Sequence, residues 1–210
     1  MNILIDELPK AVTVAGKKYQ VNWGFRTIIL IEICIFDKNM SDDERIMTAL
    51  GLFYGEAIPE DYSQAFDKMM WFYRGGKAEK KDLAGKGKSA SLKRCYCFEQ
   101  DAPYIYSAFL TQYKLDLQDL KSEDLHWWKF KAMFESLSED LRISKIMGYR
   151  VTSTAGMQKE QKAFYNEMKK LYALDVETSA DTKMKLAKRD ADMKNYIQRR
   201  AKEAQNANES

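Results

Sequence analysis

Hydrophobic and polar residues alternate near the start of the chain and follow a helical period further along it. Two short alternating runs, Val12–Val14 and Tyr19–Val21, stand on either side of Gly16. Glycine readily adopts the positive φ of a tight turn, so this segment is predicted to be a β-hairpin. The segments that follow it are predicted to be helical, which makes the expected fold mainly α.

The first helical segments differ in how much of their surface is apolar. Residues 25–36 are apolar almost throughout, which predicts a helix buried on more than one side, although their β-branched content leaves a strand open. Ser41 and Glu44 have the spacing of a capping box for the next helix. Pro59 is predicted to open the third helix, and the glycine pair at 75–76 to end it. The apolar stripe of the third helix comprises Tyr62, Ala65, Phe66, Met69, Phe72 and Tyr73.

Residues 77–94 interrupt this pattern with lysine, glycine, serine and alanine. Such a segment buries too little surface to offset its ordering entropy, so a mobile basic loop inside the domain is expected. Helical spacing resumes with Asp101 as a candidate cap and Pro103 in the first turn. Gly148 is predicted to end a later helix, and another helix is predicted over about 157–174. The apolar residues on one side of that helix are Phe164, Met168 and Leu171.

The last segment, residues 175–210, carries only a narrow apolar stripe. Its members are Leu186, Met193, Ile197 and Ala201. A stripe this narrow is too weak for stable packing alone, so we expect a partly flexible helical extension or one that a partner completes. The predicted organisation is therefore a multi-helix globular domain over 1–174, with a short N-terminal β-hairpin, and a C-terminal helical extension over 175–210.

The segment LHWWKFKAMFESL, residues 125–137, has two apolar faces when it is drawn as a helix. One broad face contains Trp127 and Phe130. The second, narrower face consists of Trp128, Leu125 and Ala132. Either both faces pack inside the protein, or the Trp128 face binds a partner. Ser122 is the predicted N-cap of this helix, since its hydroxyl group can accept from a free backbone N–H.

Composition and charge narrow the class of protein. The 34 basic and 31 acidic residues give a net charge of +3, which is too even to indicate nucleic-acid binding. No basic leader precedes an apolar run at the N-terminus, and no run reaches the ~18 apolar residues of a membrane span. Three cysteines, at positions 34, 95 and 97, are an odd number without a framework spacing, which favours free thiols in a reducing cytosol.

Candidate chemistry is sparse. His126, the one histidine of the chain, could be a general base, a metal ligand or a hydrogen-bonded core residue. Glu123 and His126 have the spacing of a di-iron ligand pair, but such sites need a second motif that this chain lacks. The Cys95–Cys97 pair lacks the further ligands of a zinc site. Because no phosphate loop or nucleophile motif is found either, we expect no enzyme activity and no cofactor, and a structural role for His126.

Several strings together resemble the bacteriophage gene-product-fifteen family of phages and prophages of Gram-positive bacteria. The most specific are FEQDAPYIYSAFLTQYKLDL at 98–117 and LHWWKFKAMFESL at 125–137, supported by WFYRGG at 71–76 and IMGYR at 146–150. The resemblance covers roughly residues 8–174. The genes of that family lie between those for the major tail protein and the tape measure protein.

The resemblance implies a tail assembly chaperone of a long-tailed, non-contractile phage. Such a protein binds the tape measure protein in the host cell cytoplasm, keeps it soluble until the tail tube polymerises round it, and is not expected in the mature virion. A second tail assembly chaperone, the major tail protein and self-association are further possible partners. Two other functions stay open: a structural tail-completion or connector protein, and a nucleic-acid-binding accessory protein. The residues proposed to bind a partner are Trp128, Leu125, Ala132, Leu186, Met193 and Ile197.

Overall fold

Two short strands come first along the chain and helices follow them, as the sequence predicts. The computed structural model describes residues 2–77, 94–121 and 124–174. Within those residues the elements are β1 (Ala11–Val14), β2 (Lys17–Gln20), α1 (Phe25–Phe36), α2 (Asp42–Tyr54), α3 (Tyr62–Tyr73), α4 (Ala102–Tyr113), α5 (Trp127–Glu135), α6 (Arg142–Val151) and α7 (Lys159–Leu171). The mainly helical fold class is confirmed. The predicted loop over 77–94 lies almost wholly outside the described residues, and the predicted extension over 175–210 lies wholly outside them.

The hairpin forms because two consecutive residues accept a left-handed backbone conformation. Ala15 and Gly16 have φ values of 47° and 78°, which is the conformation required at both central positions of a type I′ turn. The strands are antiparallel, with Val14 paired to Lys17 at the turn. Val12 and Val14 are buried on one face, so the alternation seen in the sequence points one side of β1 into the core.

An aromatic stack in the middle of the core fixes the position of α5. The ring of Phe130 stacks on Phe25 of α1 and on Phe109 of α4, with centroids 5.3 Å and 4.9 Å apart. Phe98, just before α4, packs against the same ring at 6.0 Å. Each such pair adds about 0.5–1.5 kcal/mol to the burial of its rings. The helix predicted over 25–36 is confirmed as α1, and the strand alternative for that segment is wrong.

Three predicted helix boundaries are wrong, each because a different group satisfies the free backbone. α3 begins at Tyr62 rather than at Pro59, since the Asp61 carboxylate accepts from the Gln64 N–H at 2.9 Å. α5 begins at Trp127 with His126 as its N-cap, several residues after the predicted start at Ser122.

The third boundary concerns α6, which runs through Gly148 to Val151. The N–H and the hydroxyl group of Thr152 both donate to the Gly148 carbonyl, at 3.0 Å and 2.7 Å. These two bonds satisfy the carbonyl of Gly148 itself and continue the helix, so α6 ends almost one turn beyond the predicted stop. The glycine alone was therefore too weak a signal for the end of a helix.

Candidate helix-binding groove

An apolar groove opens at the surface between α1 and α4. Its volume is about 350 Å³. The aromatic rings of Phe25, Phe98 and Phe130 lie beneath its floor but are at most 5% exposed, so the solvent-accessible part of the groove is formed mainly by its walls. The groove is thus a place where apolar side chains of another molecule can contact the exposed side chains of its walls.

Helical spacing on the two walls explains why the groove is apolar. The α1 wall consists of Arg26, Ile29 and Leu30, and the α4 wall consists of Ala102, Ile105 and Tyr106. In each helix these positions stand at i, i+3 and i+4, which lie on one face. Leu30 is 52% exposed, so the wall of α1 presents a large aliphatic side chain to solvent.

Arg26 holds the end of the groove in place. Its Nη2 donates to the carbonyl oxygens of Leu117 and Leu120, at 2.7 Å and 3.2 Å. Those carbonyls belong to the segment after α4, whose Leu117 and Gln118 close the groove. On the opposite wall the Tyr106 hydroxyl donates to the Asp116 carboxylate at 2.9 Å. The end wall is therefore tied to both helices, and the groove is held open by polar bonds at its rim.

Trp127 and Trp128 serve the fold in a way that the sequence did not reveal. Their indole N–H groups donate to the carbonyls of Tyr73 and Phe72, at 2.9 Å and 2.7 Å. These carbonyls stand in the last turn of α3. The Phe72 carbonyl also accepts from the Gly75 N–H at 3.0 Å, so the indole of Trp128 is its second donor. The Trp128 ring also lies over Gly76, so close that a Cβ there would come within 2.6 Å of it.

The strings WFYRGG and LHWWKF thus form the two sides of one contact. A comparison of the whole sequence with protein-family models gives a match to a family model, and both strings lie within it. That model describes the bacteriophage Gp15 protein and covers residues 4–174. The chain belongs to the bacteriophage Gp15 protein family. The family predicted from the resemblance is confirmed. No curated protein and no solved structure matches the chain significantly.

The second apolar face of α5 lies inside this Gp15 family member. Trp128 is 5% exposed and Leu125 is 7% exposed, while Ala132 is half-buried. A partner could reach Trp128 only if the packing against Gly76 and Trp71 opened. The structure therefore corrects the hypothesis that this face is an accessible partner surface. The other three proposed binding residues, Leu186, Met193 and Ile197, lie outside the described residues and beyond the family match.

His126 uses both ring nitrogens for structure. Nδ1 accepts from the Trp128 N–H at 3.0 Å as the N-cap of α5, and Nε2 lies 3.0 Å from the Pro9 carbonyl. This pattern fits a neutral ring with its proton on Nε2. Burial lowers the pKa of His126 below its usual value. The ring also stacks on Trp23 at 5.4 Å. The structural interpretation of this histidine fits these contacts.

All three cysteines lie in the described part of the chain, where the metal-site hypothesis can also be tested. Cys34, Cys95 and Cys97 form no disulfide, as expected. Among residues 2–77, 94–121 and 124–174, no cluster of three or more histidine, cysteine or acidic side chains could hold a metal ion. Glu123, the proposed partner of His126, is not among them. None of the described helices is long and apolar enough to cross a bilayer.

A buried polar cluster around Glu32 was missed in the sequence. Glu32 is 2% exposed, and its carboxylate accepts from the hydroxyl groups of Tyr73 and Tyr96, at 2.5 Å and 3.2 Å. Arg94 lies 3.5 Å away as its ion-pair partner. Burial raises the pKa of Glu32 despite these partners. A single acidic residue inside the apolar run of α1 was the available signal.

A second buried polar contact joins Asp101 to Arg150. Arg150 Nη1 and Nη2 donate to the two carboxylate oxygens of Asp101, at 2.6 Å and 2.9 Å. Further donors of Arg150 reach the carbonyls of Tyr172 and Cys95. Asp101 is the N-cap residue of α4, as predicted, but it makes no side-chain cap bond. Its carboxylate instead joins α4 to α6.

Proposed function

We propose that this Gp15 family protein is a tail assembly chaperone that binds the tape measure protein and keeps it soluble until the tail tube polymerises. It acts in the host cytoplasm, without catalysis, and leaves the assembly before the virion is complete. Family membership supports a role in a phage, and the resemblance stated above supports the tail. A second tail assembly chaperone, the major tail protein and a further copy of this chain are additional proposed partners.

The apolar groove between α1 and α4 is the observation that carries this proposal. A client helix with apolar residues at i, i+3 or i+4, and i+7 can lay them along such a groove. Leu30, which is 52% exposed on the α1 wall, offers an aliphatic surface to these anchors. Each fully buried anchor contributes about 1.5–3 kcal/mol. Two or three of them give a contact weak enough to release the client when tube subunits arrive.

The proposal is tested by expressing the protein together with the tape measure protein of its own phage. We expect most of the tape measure protein to remain in the soluble fraction and to co-purify with this chain. An empty vector provides the reference. If the tape measure protein is as insoluble with the chain as with the vector, the chaperone function is wrong.

A charged substitution tests whether the groove is the client site. Leu30→Lys places a charge on the α1 wall at a half-exposed position, so we expect normal folding and loss of tape measure solubility. Leu4→Lys is the matched control, because Leu4 is 87% exposed and does not line the groove. Equal solubility of the tape measure protein with both variants would exclude the groove but leave the chaperone function standing.

Two further measurements address the alternative functions. Mass spectrometry of purified virions should not detect this chain, whereas a tail-completion or connector protein would be present in every particle. A gel shift with duplex DNA should show no salt-dependent binding, since phosphate contacts would release counterions and make the affinity fall with salt. Either positive result would contradict the chaperone proposal.

A further inference from the structure

α7 presents an apolar stripe to solvent rather than to the core. Phe164 and Leu171, seven residues apart and therefore on one face, are 47% and 65% exposed. None of the α7 residues is buried. The sequence predicts that these two residues and Met168 lie on one side of the helix. In the structure, no described residue covers the outer part of that side.

The contacts of α7 with α6 leave the outer part of this stripe exposed, although the edge of the Phe164 ring itself meets Tyr149, with centroids 5.9 Å apart. Tyr165 and Tyr172 pack against Tyr149 of α6, with ring centroids 5.8 Å and 6.2 Å apart. Lys169 donates to the Thr152 carbonyl at 2.5 Å, which ties the same side of α7 to the end of α6. At 3.6 residues per turn, this attached side is roughly a third of a turn away from Phe164 and Leu171.

Two glutamates flank the exposed stripe. Glu160 precedes Phe164 by four residues and Glu167 precedes Leu171 by four, so each carboxylate lies beside one apolar residue. Both glutamates are exposed. Within the described chain, neither forms an ion pair. We call Phe164, Leu171, Glu160 and Glu167 the outer ridge of α7.

We infer that the outer ridge of α7 is a docking surface for a basic amphipathic helix of a partner protein. Phe164 and Leu171 receive its apolar residues, and Glu160 and Glu167 face its lysines or arginines. The outer ridge of a second copy carries the same two glutamates, so it does not supply the positive charges that complement Glu160 and Glu167. The ridge and the groove have no residue in common, so this inference does not depend on the proposed client site.

The test uses the full chain and two synthetic helical peptides. Both peptides carry leucines at the spacing of one helix face; one has lysines beside the leucines, and the other has glutamates there. We expect the lysine peptide to shift the backbone NMR signals of α7 and to bind more tightly at low salt than at high salt, because screening weakens exposed charge pairs. The glutamate peptide should bind at least fivefold more weakly.

Charge reversal identifies the residues that are responsible. The double variant Glu160→Lys, Glu167→Lys should weaken binding of the lysine peptide by about fivefold and improve binding of the glutamate peptide. The double variant Glu56→Lys, Glu139→Lys is the matched control, since both glutamates are exposed and lie outside α7. It should leave both affinities unchanged.

Several outcomes would overturn the inference. These are equal affinity for the two peptides, an unchanged affinity after reversal at Glu160 and Glu167, or peptide-induced shifts confined to the groove. A dimer that sedimentation detects in the wild type and that Phe164→Ser abolishes would instead identify a second copy as the occupant. Phe164→Ser should keep the circular dichroism spectrum of the wild type, because the side chain is half exposed, so loss of peptide binding in that variant reports the surface itself.

Discussion

The tandem indoles of Trp127 and Trp128 show how single side chains can determine a junction between helices. Each indole N–H donates to one carbonyl at the end of α3, and Trp128 then occupies the space that a side chain at position 76 would need. Gly76 has a φ of 77°, in the region that only glycine adopts without strain. The glycine is therefore required twice, by the backbone conformation and by the close approach of the ring.

Gly76→Ala is expected to destabilise the protein more than Gly55→Ala. Both substitutions impose a left-handed conformation on alanine, which costs roughly 1–2 kcal/mol. Gly55 has open space around its Cβ position, whereas Gly76 meets the Trp128 ring. Overpacking of this kind adds about 1–3 kcal/mol. Unfolding in guanidinium chloride measures the difference, and equal losses in the two variants would show that the ring moves aside freely.

His126 should make the stability of the protein depend on pH. Because burial lowers its pKa in the folded state below 6.5, the unfolded chain binds the proton first as the pH falls. The stabilising contribution is therefore complete above about pH 6.5, the unfolded value, and is lost as the pH falls from there towards the lowered folded value. Protonation also removes the acceptor at Nδ1 that caps α5.

Substitution of His126 by Asn tests this dependence. Asn retains an N-cap acceptor but does not titrate, so we expect a loss of about 1 kcal/mol at pH 7.5 and a smaller further loss at pH 5 than in the wild type. The comparison with the wild type separates the contribution of His126 to the pH dependence from that of Glu32. The pKa of Glu32 is raised in the folded state, so its contribution to stability decreases as the pH rises, opposite to that of His126. His126→Ala, which also removes the cap, should lose about 1 kcal/mol more than His126→Asn. Parallel pH profiles for wild type and His126→Asn would contradict the assignment.

Asp101 and Arg150 show that the junctions between helices depend on contacts that no local pattern encodes. They stand 49 residues apart in the sequence, and their ion pair is 1% and 4% exposed. Local sequence pattern predicted α1, from a continuous apolar run that also left a strand open, and the buried residues of the α3 stripe, because those follow from spacing within one element. It did not predict this pair, nor the pairing of Glu32 with Tyr73 and Tyr96, because the partners lie in different elements.

Removing one member of the Asp101–Arg150 pair should be strongly destabilising. Asp101→Asn leaves a buried guanidinium group without its countercharge, and such a loss typically costs about 3–5 kcal/mol. The double variant Asp101→Asn, Arg150→Met should lose less than the sum of the two single variants. Lys131→Met is the control, because the side chains of the Lys131–Glu135 pair are 25% and 50% exposed, and loss of a pair that water reaches should cost less than about 1 kcal/mol. Additive losses in the double-mutant cycle would mean that the two side chains are not coupled.

The groove could be predicted from the sequence only in part. Its α1 wall belongs to a run that is apolar almost throughout, which predicted burial on more than one side rather than an exposed groove. The location of the groove was not predicted, because it depends on where α4 and the segment around Leu117 pack against α1. Arg26 fixes this arrangement by donating to two backbone carbonyls of that segment. The hypothesis that the Trp128 face is an accessible partner surface was corrected for a related reason: two apolar faces on one helix are equally compatible with a partner surface and with burial on both sides.

At the scale of the whole molecule, side-chain hydrogen bonds hold the C-terminal end of the described chain at Tyr172 and Ala173. Arg150 Nε donates to the Tyr172 carbonyl at 2.6 Å, and Gln100 Nε2 donates to the Ala173 carbonyl at 2.9 Å. The family match ends at residue 174 as well. The proposed domain boundary at 174 stays a prediction, since residues 175–210 lie outside the described part of the chain, but it can be tested directly.

A chain that ends at Leu174 should fold with a melting temperature within about 2 °C of the full chain, because the groove, the core and the bonds of Arg150 are all retained. A chain that ends at Gln158 is the matched control. It loses the Tyr172 carbonyl, which leaves a buried donor of Arg150 unsatisfied at a cost of about 1–3 kcal/mol, and it should melt several degrees lower.

In co-expression, the chain ending at Leu174 should keep the tape measure protein soluble if the groove binds it. A folded chain of that length that leaves the tape measure protein insoluble would instead place the client site in residues 175–210, where Leu186, Met193 and Ile197 are the candidates.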